Sequence, residues 1–289
     1  MNFSDVIKLI RVHQWVKNLF IFLPAFFGQT LNQESIIPLA LGFVCFSMAA
    51  SAVYIFNDII DAPSDRLHKE KKERPIAAGK IKVGAGYALA GVLLVASLSG
   101  AFFINQMFFA ACVFYLVQNL FYTTWLKKFA LIDITIISLG FLIRLFCGGV
   151  IAEVPISSWM YIMAFLLAML LALGKRRDDL LILKNEGRQV RKAVEGYNME
   201  FVNVVSVLLS AVTIVAYIMY TLSPEVIERV GSKYVYVTSL FVLLGVLRYL
   251  QLALVYENTG SPTLILLKDN PIRFVVLAWL LTFGYLLYV

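Results

Sequence analysis

Long apolar runs separated by short polar segments fill the chain from one end to the other. Most runs have the roughly 20 residues that an α-helix needs to cross a bilayer, so the pattern predicts membrane spans. The predicted spans cover residues 14–31, 35–57, 83–104, 107–126, 131–151, 157–174, 201–222, 234–255 and 272–289. Lys17 and Asn18 interrupt the first of them. We therefore expect an all-α integral membrane protein, a nine-transmembrane-helix bundle in a single domain over residues 1–289.

Lys and Arg are spread unevenly over the segments that connect the spans. Two long segments, 58–82 and 175–200, hold seven each, whereas the loops on the opposite face hold Arg229 and Lys233 alone. Because positive residues stay on the cytoplasmic side, this asymmetry predicts a cytoplasmic amino terminus. An odd number of spans then puts the carboxyl terminus outside. The two long segments become cytoplasmic loops of a cell (inner) membrane protein, and chemistry is expected there.

Composition supports the membrane assignment. Hydrophobic residues make up 61% of the chain and charged residues only 15%, against about 25% charged in soluble domains. The net charge of +7 falls almost wholly on the cytoplasmic face, where it suits anionic lipid head groups or a soluble polyanion. The expected partner is the lipid bilayer. No nucleic-acid partner is expected, because no segment resembles a nucleic-acid-binding module. The three cysteines match no metal spacing or disulfide framework and are expected to pack in the core.

Three aspartates close the second predicted span. On a helix, Asp58, Asp61 and Asp65 occupy positions i, i+3 and i+7 and lie within roughly 60° of one another, so their carboxylates share one face. With the Asn57 amide they form the oxygen-rich ligand set that Mg²⁺ prefers. The simpler alternative is a solvated helix end whose acids are offset by nearby lysines and arginines. Their position directly at the end of an apolar span favours the metal site.

The run N-D-x-x-D-x-x-x-D at residues 57–65, followed by a basic loop with Arg74-Pro75, resembles the first aspartate-rich motif of the UbiA superfamily of membrane prenyltransferases. The resemblance implies a UbiA-like fold of nine transmembrane helices. It makes Asp58, Asp61 and Asp65 the catalytic residues that bind Mg²⁺, the implied cofactor. In that superfamily the metal holds a diphosphate in a cavity that opens to the cytoplasm.

Other stretches resemble one branch of that superfamily, the polyprenyl-phosphate (decaprenyl-phosphate) phosphoribosyltransferases. These stretches are His13–Asn18, Asp65–His68 continuing through Arg74 to Gly79, Lys175-Arg176, and Arg191–Tyr197. The resemblance implies transfer of 5-phosphoribose from phosphoribosyl pyrophosphate to a polyprenyl phosphate, with release of pyrophosphate. Pro63 is then expected to end the helix before Asp65 and to turn the Asp65 carboxylate towards the sugar.

The second charged motif departs from ordinary prenyltransferases of the superfamily. Those proteins place an aspartate motif after the sixth span, whereas this chain reads Lys175-Arg176-Arg177-Asp178-Asp179. The phosphoribosyltransferase pattern is K-R-x-x-E, so Asp179 takes the acidic place as a shorter carboxylate. One acidic cluster with several cations suits a substrate that carries more phosphate than a prenyl diphosphate. A local i, i+4 pair of Lys175 with Asp179 is the simpler alternative.

Arg144 is the charge that lies deepest in a predicted span. It follows the start of the fifth span by 13 residues, or roughly 20 Å along a helix. A buried arginine costs several kcal/mol unless it is paired or wetted. Asp133 lies three turns away on the same helix, which is too far for direct contact. We therefore expect Arg144 to face a polar cavity or a phosphate rather than to form a structural ion pair.

The remaining candidates are polar residues at or near the inner ends of spans. The full set of expected substrate-binding residues is Asn57, Lys17, Arg74, Tyr122, Lys127, Arg144, Lys175, Arg176, Asp179, Arg191, Glu195 and Tyr197. Simpler roles are open for four of them: Lys127 as a topology anchor, Lys17 snorkelling to the interface, and Glu195 and Tyr197 as anchors of their loop.

Phosphoribosyl transfer builds positive charge on the sugar and negative charge on the departing pyrophosphate. Mg²⁺ and cations such as Lys127, Arg144 and Lys175 would stabilise the leaving group. The lipid phosphate is already an anion and needs positioning more than a base, so it would attack in a single displacement. The arginines available to the ribose 5-phosphate are Arg74, Arg176 and Arg191.

Two other functions use part of the same pattern. An aromatic prenyltransferase would use the aspartate cluster on a polyprenyl diphosphate, but the cationic start of the second motif at Lys175 disfavours it. A transporter of an anionic metabolite or lipid would explain Arg144 and the basic inner face. It gives no reason for three carboxylates on one helix face beside a basic loop.

Overall fold

The computed structural model describes residues 2–67, 71–187, 191–257, 265 and 268–288. These residues form α-helices and short 3₁₀ segments, with no strand among them. The α-helices are α1 Phe3–Ile10, α2 Leu23–Phe27, α3 Gln33–Asp65, α4 Val83–Ile104, α5 Gln106–Thr124, α6 Ile132–Ile151, α7 Ser158–Glu186, α8 Met199–Leu222, α9 Pro224–Val230, α10 Ser239–Leu254 and α11 Asn270–Tyr288. His68 and Lys69, which belong to the basic stretch, lie outside the described residues.

Eight helical segments within the described residues are long and apolar enough to cross a membrane. They are α3 to α8, the continuous segment Lys233–Leu254 that contains α10, and α11. Each corresponds to one predicted span from the second onwards, so the chain is an all-helical integral membrane protein. The first predicted span forms a 3₁₀ helix, Val12–Phe22, followed by the five-residue α2. The ninth span therefore stays a prediction.

Two helices extend well beyond their predicted ends. α3 runs to Asp65 and α7 to Glu186, whereas the sequence pattern ended them at 57 and 174. The segments 58–82 and 175–200 thus begin as helix and become irregular only later. The expectation that Pro63 ends α3 before Asp65 was wrong, because Pro63 lies inside the last helical turns. Its ring fixes a backbone angle that a helix accepts, and Asp65 remains on the helix.

By contact, the chain divides into two compact units. The first comprises Met1–Trp125 and Ile143–Ile156, and the second comprises Leu126–Leu142 and Ser157–Val289. In the first unit, α3 packs on α4, α5 and α1. An Asn32 cap starts α3, since its side chain accepts hydrogen bonds from the backbone of Glu34 and Ser35. The three cysteines are buried free thiols in the apolar core of this unit, which confirms their predicted packing role.

In the second unit, α7 packs on α8, and α10 packs on both α8 and α11. Buried apolar residues of α7 and α8 form its core together with residues from the start of α6 and from a 3₁₀ segment, Lys192–Gly196. That segment is held at the end of α7 by two buried anchors, Ala193 and Val194. This arrangement places the charged turns of α7 beside the start of α6.

Candidate active site

Two of the three motif aspartates meet at the end of α3. Arg74 donates from Nη1 to Asp58 Oδ1 at 3.1 Å and to Asp65 Oδ2 at 2.7 Å. Both carboxylates are buried. One nitrogen atom therefore lies within hydrogen-bond distance of both carboxylates, and the shared face predicted from the helical period holds for this pair.

Apolar anchors in the following loop bring Arg74 to these carboxylates. Ile76 and Ile81 are buried in a cluster with Ile59 and Ala62 of α3. The loop closes on itself as well, because the Ala78 amide donates to the Arg74 carbonyl at 2.8 Å. The basic loop is therefore folded back onto the last turns of α3 by hydrophobic burial, and this folding positions the arginine.

A second arginine reaches the same site from the amino-terminal helix. Arg11 follows α1 directly, and its Nη2 forms an ion pair with Asp58 Oδ1. Its guanidinium also lies over the Tyr54 ring, 5.0 Å from the centroid. Arg11 is not among the substrate-binding residues that the sequence predicts. The four side chains Arg11, Asp58, Asp65 and Arg74 are called the first cluster below.

Arg144 lies in a separate polar group of the first unit. Its Nε donates to Asn18 Oδ1 at 2.7 Å, and Asn18 in turn donates to Ser47 Oγ at 2.8 Å. The guanidinium lies over the rings of Phe46 and Tyr115, at 4.8 and 5.2 Å. The amide and the two rings stabilise the buried charge in the way expected of cation–π contacts.

A close backbone approach holds the Asn18 segment against α6. A Cβ added at Gly148 would lie 2.0 Å from the carbonyl oxygen of Ile21, so only glycine permits this distance. The 3₁₀ helix that carries Lys17 and Asn18 is thus locked beside the turn of α6 that follows Arg144. Lys17 lies within electrostatic range of Arg144 and Arg11.

A second charged cluster lies in the second unit and is built on α6 and α7. Arg176 donates from Nε to Asp133 Oδ2 at 2.5 Å and from Nη1 to Asp179 Oδ2 at 2.7 Å. Arg191 adds an ion pair to the same Asp179 oxygen at 3.3 Å. Arg176 and Asp133 are fully buried, whereas 40% of the Arg191 side chain is exposed. Two carboxylates and two guanidiniums thus run from the interior to the surface of this unit.

Tyr197 completes this second cluster from the loop side. Its hydroxyl donates to Asp133 Oδ1 at 2.8 Å and accepts from the Leu131 amide at 2.7 Å. Burial raises the pKa of Tyr197 well above its ordinary value, so the hydroxyl keeps its proton and stays a donor. Asp133 therefore has a partner on each oxygen, as a buried carboxylate requires.

These two clusters lie within a chain whose sequence matches a known family. The sequence profile of the UbiA prenyltransferase family matches residues 18–182, which include the aspartates of both clusters. The chain belongs to the UbiA prenyltransferase family. In its second cluster, Asp179 is paired with two arginines.

Two named relatives of this UbiA-family chain come from mycobacteria. Decaprenyl-phosphate phosphoribosyltransferase of Mycolicibacterium smegmatis is 32% identical over 298 residues, which cover 99% of this chain and 93% of that protein. The protein of the same name from Mycobacterium tuberculosis is 33% identical over 290 residues, with coverage of 97% and 93%. The similarity thus extends beyond the residues of the family profile to nearly the whole of each chain.

Solved structures of UbiA homologues share the fold. A UbiA homologue from Archaeoglobus fulgidus, bound to DMAPP and Mg²⁺, superposes with a TM-score of 0.74 at 22% identity and 99% coverage of both chains. A UbiA homologue from Aeropyrum pernix K1, solved in the apo state, gives a TM-score of 0.68 at 14% identity, with coverage of 93% of this chain and 97% of the other. At these identities the likeness shows the fold alone.

The first cluster offers a donor set that fits a hard divalent cation. Asp58 and Asp65 present one oxygen each to the single Nη1 atom of Arg74, so a metal ion in that place would have two carboxylates within reach. Mg²⁺ is usually bound by one or two carboxylates together with phosphate oxygens and water. Among the described residues no three His, Cys, Asp or Glu side chains come together as a metal site. The structure therefore joins Asp58 with Asp65, and Asp61 as a third ligand stays a prediction.

The other predicted residues are placed as follows. Asn57 accepts a hydrogen bond from the Thr123 hydroxyl of α5, so it ties α3 to α5 at the level of the first cluster. Tyr122 of the first unit and Lys127 and Lys175 of the second are half-buried, and Glu195 is exposed. Their contact with substrate stays a prediction.

Sequence reasoning missed Arg11 and Asp133. Asp133 was considered only as a partner for Arg144, whereas it binds Arg176 of α7. The available signal was an acid at the start of a strongly apolar span, which needs a cation from another helix. Arg11 had a weaker signal, its position two residues before the His13–Asn18 stretch.

Proposed function

We propose that this chain transfers 5-phosphoribose from phosphoribosyl pyrophosphate to a polyprenyl phosphate and releases pyrophosphate. The observation that carries the proposal is the similarity, at 32–33% identity over nearly the full chain, to proteins named decaprenyl-phosphate phosphoribosyltransferase. The similarity spans both charged clusters, so it favours this branch of the family over one that uses a prenyl diphosphate.

The first cluster would bind the pyrophosphate end of the donor. Asp58 and Asp65 would hold Mg²⁺, with Asp61 as the third acid of the motif. When bound, the metal supplies positive charge to the departing pyrophosphate. Arg74 already contacts both carboxylates, so its guanidinium is placed to donate to phosphate oxygens on the same ligand. The residues themselves therefore bind, orient and neutralise the leaving group.

The lipid phosphate would be positioned by cations of the amino-terminal segment. Lys17 is a half-buried residue of the 3₁₀ helix Val12–Phe22, and its positive charge lies within electrostatic range of Arg144. An arginine and a lysine near one another suit a phosphate monoester, which carries more than one negative charge at neutral pH. Because this phosphate is itself the nucleophile, Lys17 would hold it in position, and no proton has to be removed.

Within the second cluster, Arg191 is the arginine that we assign to a substrate phosphate. Arg191 is the exposed cation of this cluster and is fixed in place by Asp179. Arg176 donates to Asp133 and Asp179, so a phosphate would have to compete with two carboxylates for it. Arg191 is therefore the better phosphate ligand of the two, and Arg176 acts on it through Asp179.

We further propose that the chain has nine spans and that both clusters face the cytoplasm. The loop charges support this placement, since 58–82 and 175–200 hold seven cations each. The ninth span would be the segment 14–31, which includes Val12–Phe22 in part and α2. Phosphoribosyl pyrophosphate is a soluble, highly charged donor, and a cytoplasmic site would be accessible to it.

Purified protein given labelled phosphoribosyl pyrophosphate, a polyprenyl phosphate and Mg²⁺ tests the proposal. We expect label in the lipid phase and one pyrophosphate released for each labelled lipid. Removal of the metal with a chelator should stop both. A parallel reaction receives a prenyl diphosphate and an aromatic acceptor. Pyrophosphate release there alone, with no labelled lipid at any chain length, would overturn the proposal in favour of an aromatic prenyltransferase.

A further inference from the structure

Arg11 is fixed in an unusual backbone conformation beside the first cluster. Its φ of 53° and ψ of 50° lie in the left-handed region, which residues with a Cβ rarely adopt. Hydrogen bonds hold the chain on both sides of it: the Ile10 carbonyl accepts from Ser51 Oγ at 2.8 Å, and Trp15 Nε1 donates to that same hydroxyl at 3.0 Å. The break between α1 and the next segment is therefore tied to α3, and it directs Arg11 at Asp58.

The cations of the first cluster lie nearer to solvent than its acids. The side chains of Arg11 and Arg74 are 21% and 28% exposed, whereas those of Asp58 and Asp65 are 2% and 5% exposed. The guanidiniums thus cover the carboxylates from the solvent side. A cation that binds Asp58 Oδ1 competes with Arg11 and Arg74 for that oxygen.

Charge balance decides which ligand can do so. Two guanidiniums and two carboxylates give the cluster no net charge. A divalent ion that enters alone would leave two extra positive charges in a largely buried place, which is unfavourable. A divalent ion that enters with a diphosphate brings its own negative charge, and the displaced guanidinium gains phosphate oxygens as partners.

We infer that Arg11 is a diphosphate-binding residue that occupies Asp58 until metal and diphosphate arrive together. The Tyr54 ring lies under the Arg11 guanidinium at 5.0 Å, so it keeps the cation at the site when Asp58 turns to the metal. The inference rests on the proposed function for the identity of the diphosphate, which is that of phosphoribosyl pyrophosphate. In this inference Arg11 prevents a metal ion from binding Asp58 without diphosphate, and it binds the diphosphate when both arrive.

A purely structural Arg11 would behave differently when it is removed. If Arg11 only neutralises a buried Asp58, the substitution R11Q should disturb the cluster and weaken every ligand. If Arg11 competes with the metal for Asp58, the same substitution should strengthen the binding of metal alone. The two roles therefore predict opposite signs for one measured affinity.

The experiment measures Mn²⁺ bound to purified wild-type, R11Q and K8Q proteins by equilibrium dialysis, with and without pyrophosphate, and the protein-free compartment corrects for the Mn²⁺–pyrophosphate complex in solution. Mn²⁺ takes the same oxygen ligands as Mg²⁺. Lys8 is an exposed cation of α1 less than one turn before Arg11, so K8Q is the matched control. We expect R11Q to bind Mn²⁺ alone about tenfold more tightly than wild type and to bind pyrophosphate with Mn²⁺ about tenfold more weakly. K8Q should match wild type in both.

Weaker binding of both ligands by R11Q, or no change in either, would overturn the inference. Wild-type protein gives a test that needs no variant, because pyrophosphate should raise its affinity for Mn²⁺, and equal affinity with and without pyrophosphate would also overturn it. These readouts use neither lipid nor phosphoribosyl pyrophosphate. A protein that shows the expected binding but transfers no phosphoribose would therefore contradict the proposed function and leave the role of Arg11 standing.

Discussion

Asp58 is a buried carboxylate that two arginines neutralise, one from the amino-terminal segment and one from the loop after α3. Such a group is costly unless it is paired, and in this family member it lies beside a second acid, Asp65, that shares one of its arginines. A pair of buried acids whose partners are arginines could bind a metal together with the phosphate that the arginines would then contact. This is the residue-level basis of the proposed chemistry.

Replacement of Asp58 by Asn should lower the transfer rate by about 100-fold or more, because a charged metal ligand and the partner of two arginines are both lost. The rate of labelled lipid formation measures this, with membrane content checked by immunoblot. Glu34→Gln is the matched control, since Glu34 is an exposed acid at the opposite end of α3. Wild-type turnover in Asp58→Asn would remove the argument for a metal site.

Replacement of Tyr197 by Phe should destabilise the second unit without touching the first cluster. The Tyr197 hydroxyl bonds Asp133 and the Leu131 amide, so its loss leaves a buried carboxylate oxygen short of a partner and should cost about 1–2 kcal/mol. The melting temperature of the purified protein measures this. Tyr234→Phe serves as the control because Tyr234 is exposed; equal melting temperatures for the two variants would show that the Tyr197 contacts add nothing.

Single residues were predictable where a helical period or a strong motif acts on them. The shared face of Asp58 and Asp65 follows from the 3.6-residue period alone. The partners of Asp133 do not, because Arg176 of another helix and Tyr197 of a loop bind it. Ion pairs between helices depend on packing, and one sequence does not specify packing at the level of side chains.

At the scale of elements, the contact between the 3₁₀ helix Val12–Phe22 and α6 fixes the polar group around Arg144. Gly148 permits that contact because any Cβ there would meet the Ile21 carbonyl oxygen. The position of Asn18 beside Arg144 therefore depends on Gly148. The position of Lys17, the neighbour of Asn18 in sequence, depends on it as well.

Replacement of Gly148 by Ala should push the 3₁₀ helix away from α6. We expect the free energy of unfolding to fall by about 1–3 kcal/mol, as for other overpacked sites. Because Lys17 moves with its segment, the Michaelis constant for the lipid phosphate should rise more than the Michaelis constant for the ribosyl donor. Melting temperature and steady-state kinetics measure the two effects. Gly91→Ala in α4 is the control, since a Cβ at Gly91 meets no atom within 4 Å; a Gly148→Ala protein equal to it would contradict the tight contact.

The apolar pattern predicted nine spans, and eight of them correspond to helices of the described residues that are long and apolar enough to cross a membrane, with starts within a few residues of those predicted. It failed at the polar ends of α3 and α7, which continue as helix to Asp65 and Glu186. A hydropathy pattern marks where lipid ends rather than where a helix ends. Charged turns that pair with other segments extend the helix beyond the apolar run.

At the scale of the whole molecule, the loop charges predict which face each end of the chain occupies. The native cysteines Cys45, Cys112 and Cys147 are buried, so a cysteine introduced at an exposed site can be labelled over a low background. Arg229→Cys should react with a membrane-impermeant maleimide in intact cells because its loop is predicted outside, whereas Lys72→Cys should react only after the cells are opened. The reverse labelling pattern would contradict the proposed orientation.

Transfer of phosphoribose to a polyprenyl phosphate gives a lipid product of defined mass, and the chemical identity of that product decides whether this chain performs the reaction. Protein, polyprenyl phosphate, phosphoribosyl pyrophosphate and Mg²⁺ are incubated, and the extracted lipid is examined by mass spectrometry. We expect a lipid heavier than the acceptor by one phosphoribosyl group, formed by wild type and Glu34→Gln but absent with Asp58→Asn. An unmodified acceptor in every reaction, or a prenylated aromatic product formed instead from a prenyl diphosphate, would contradict it.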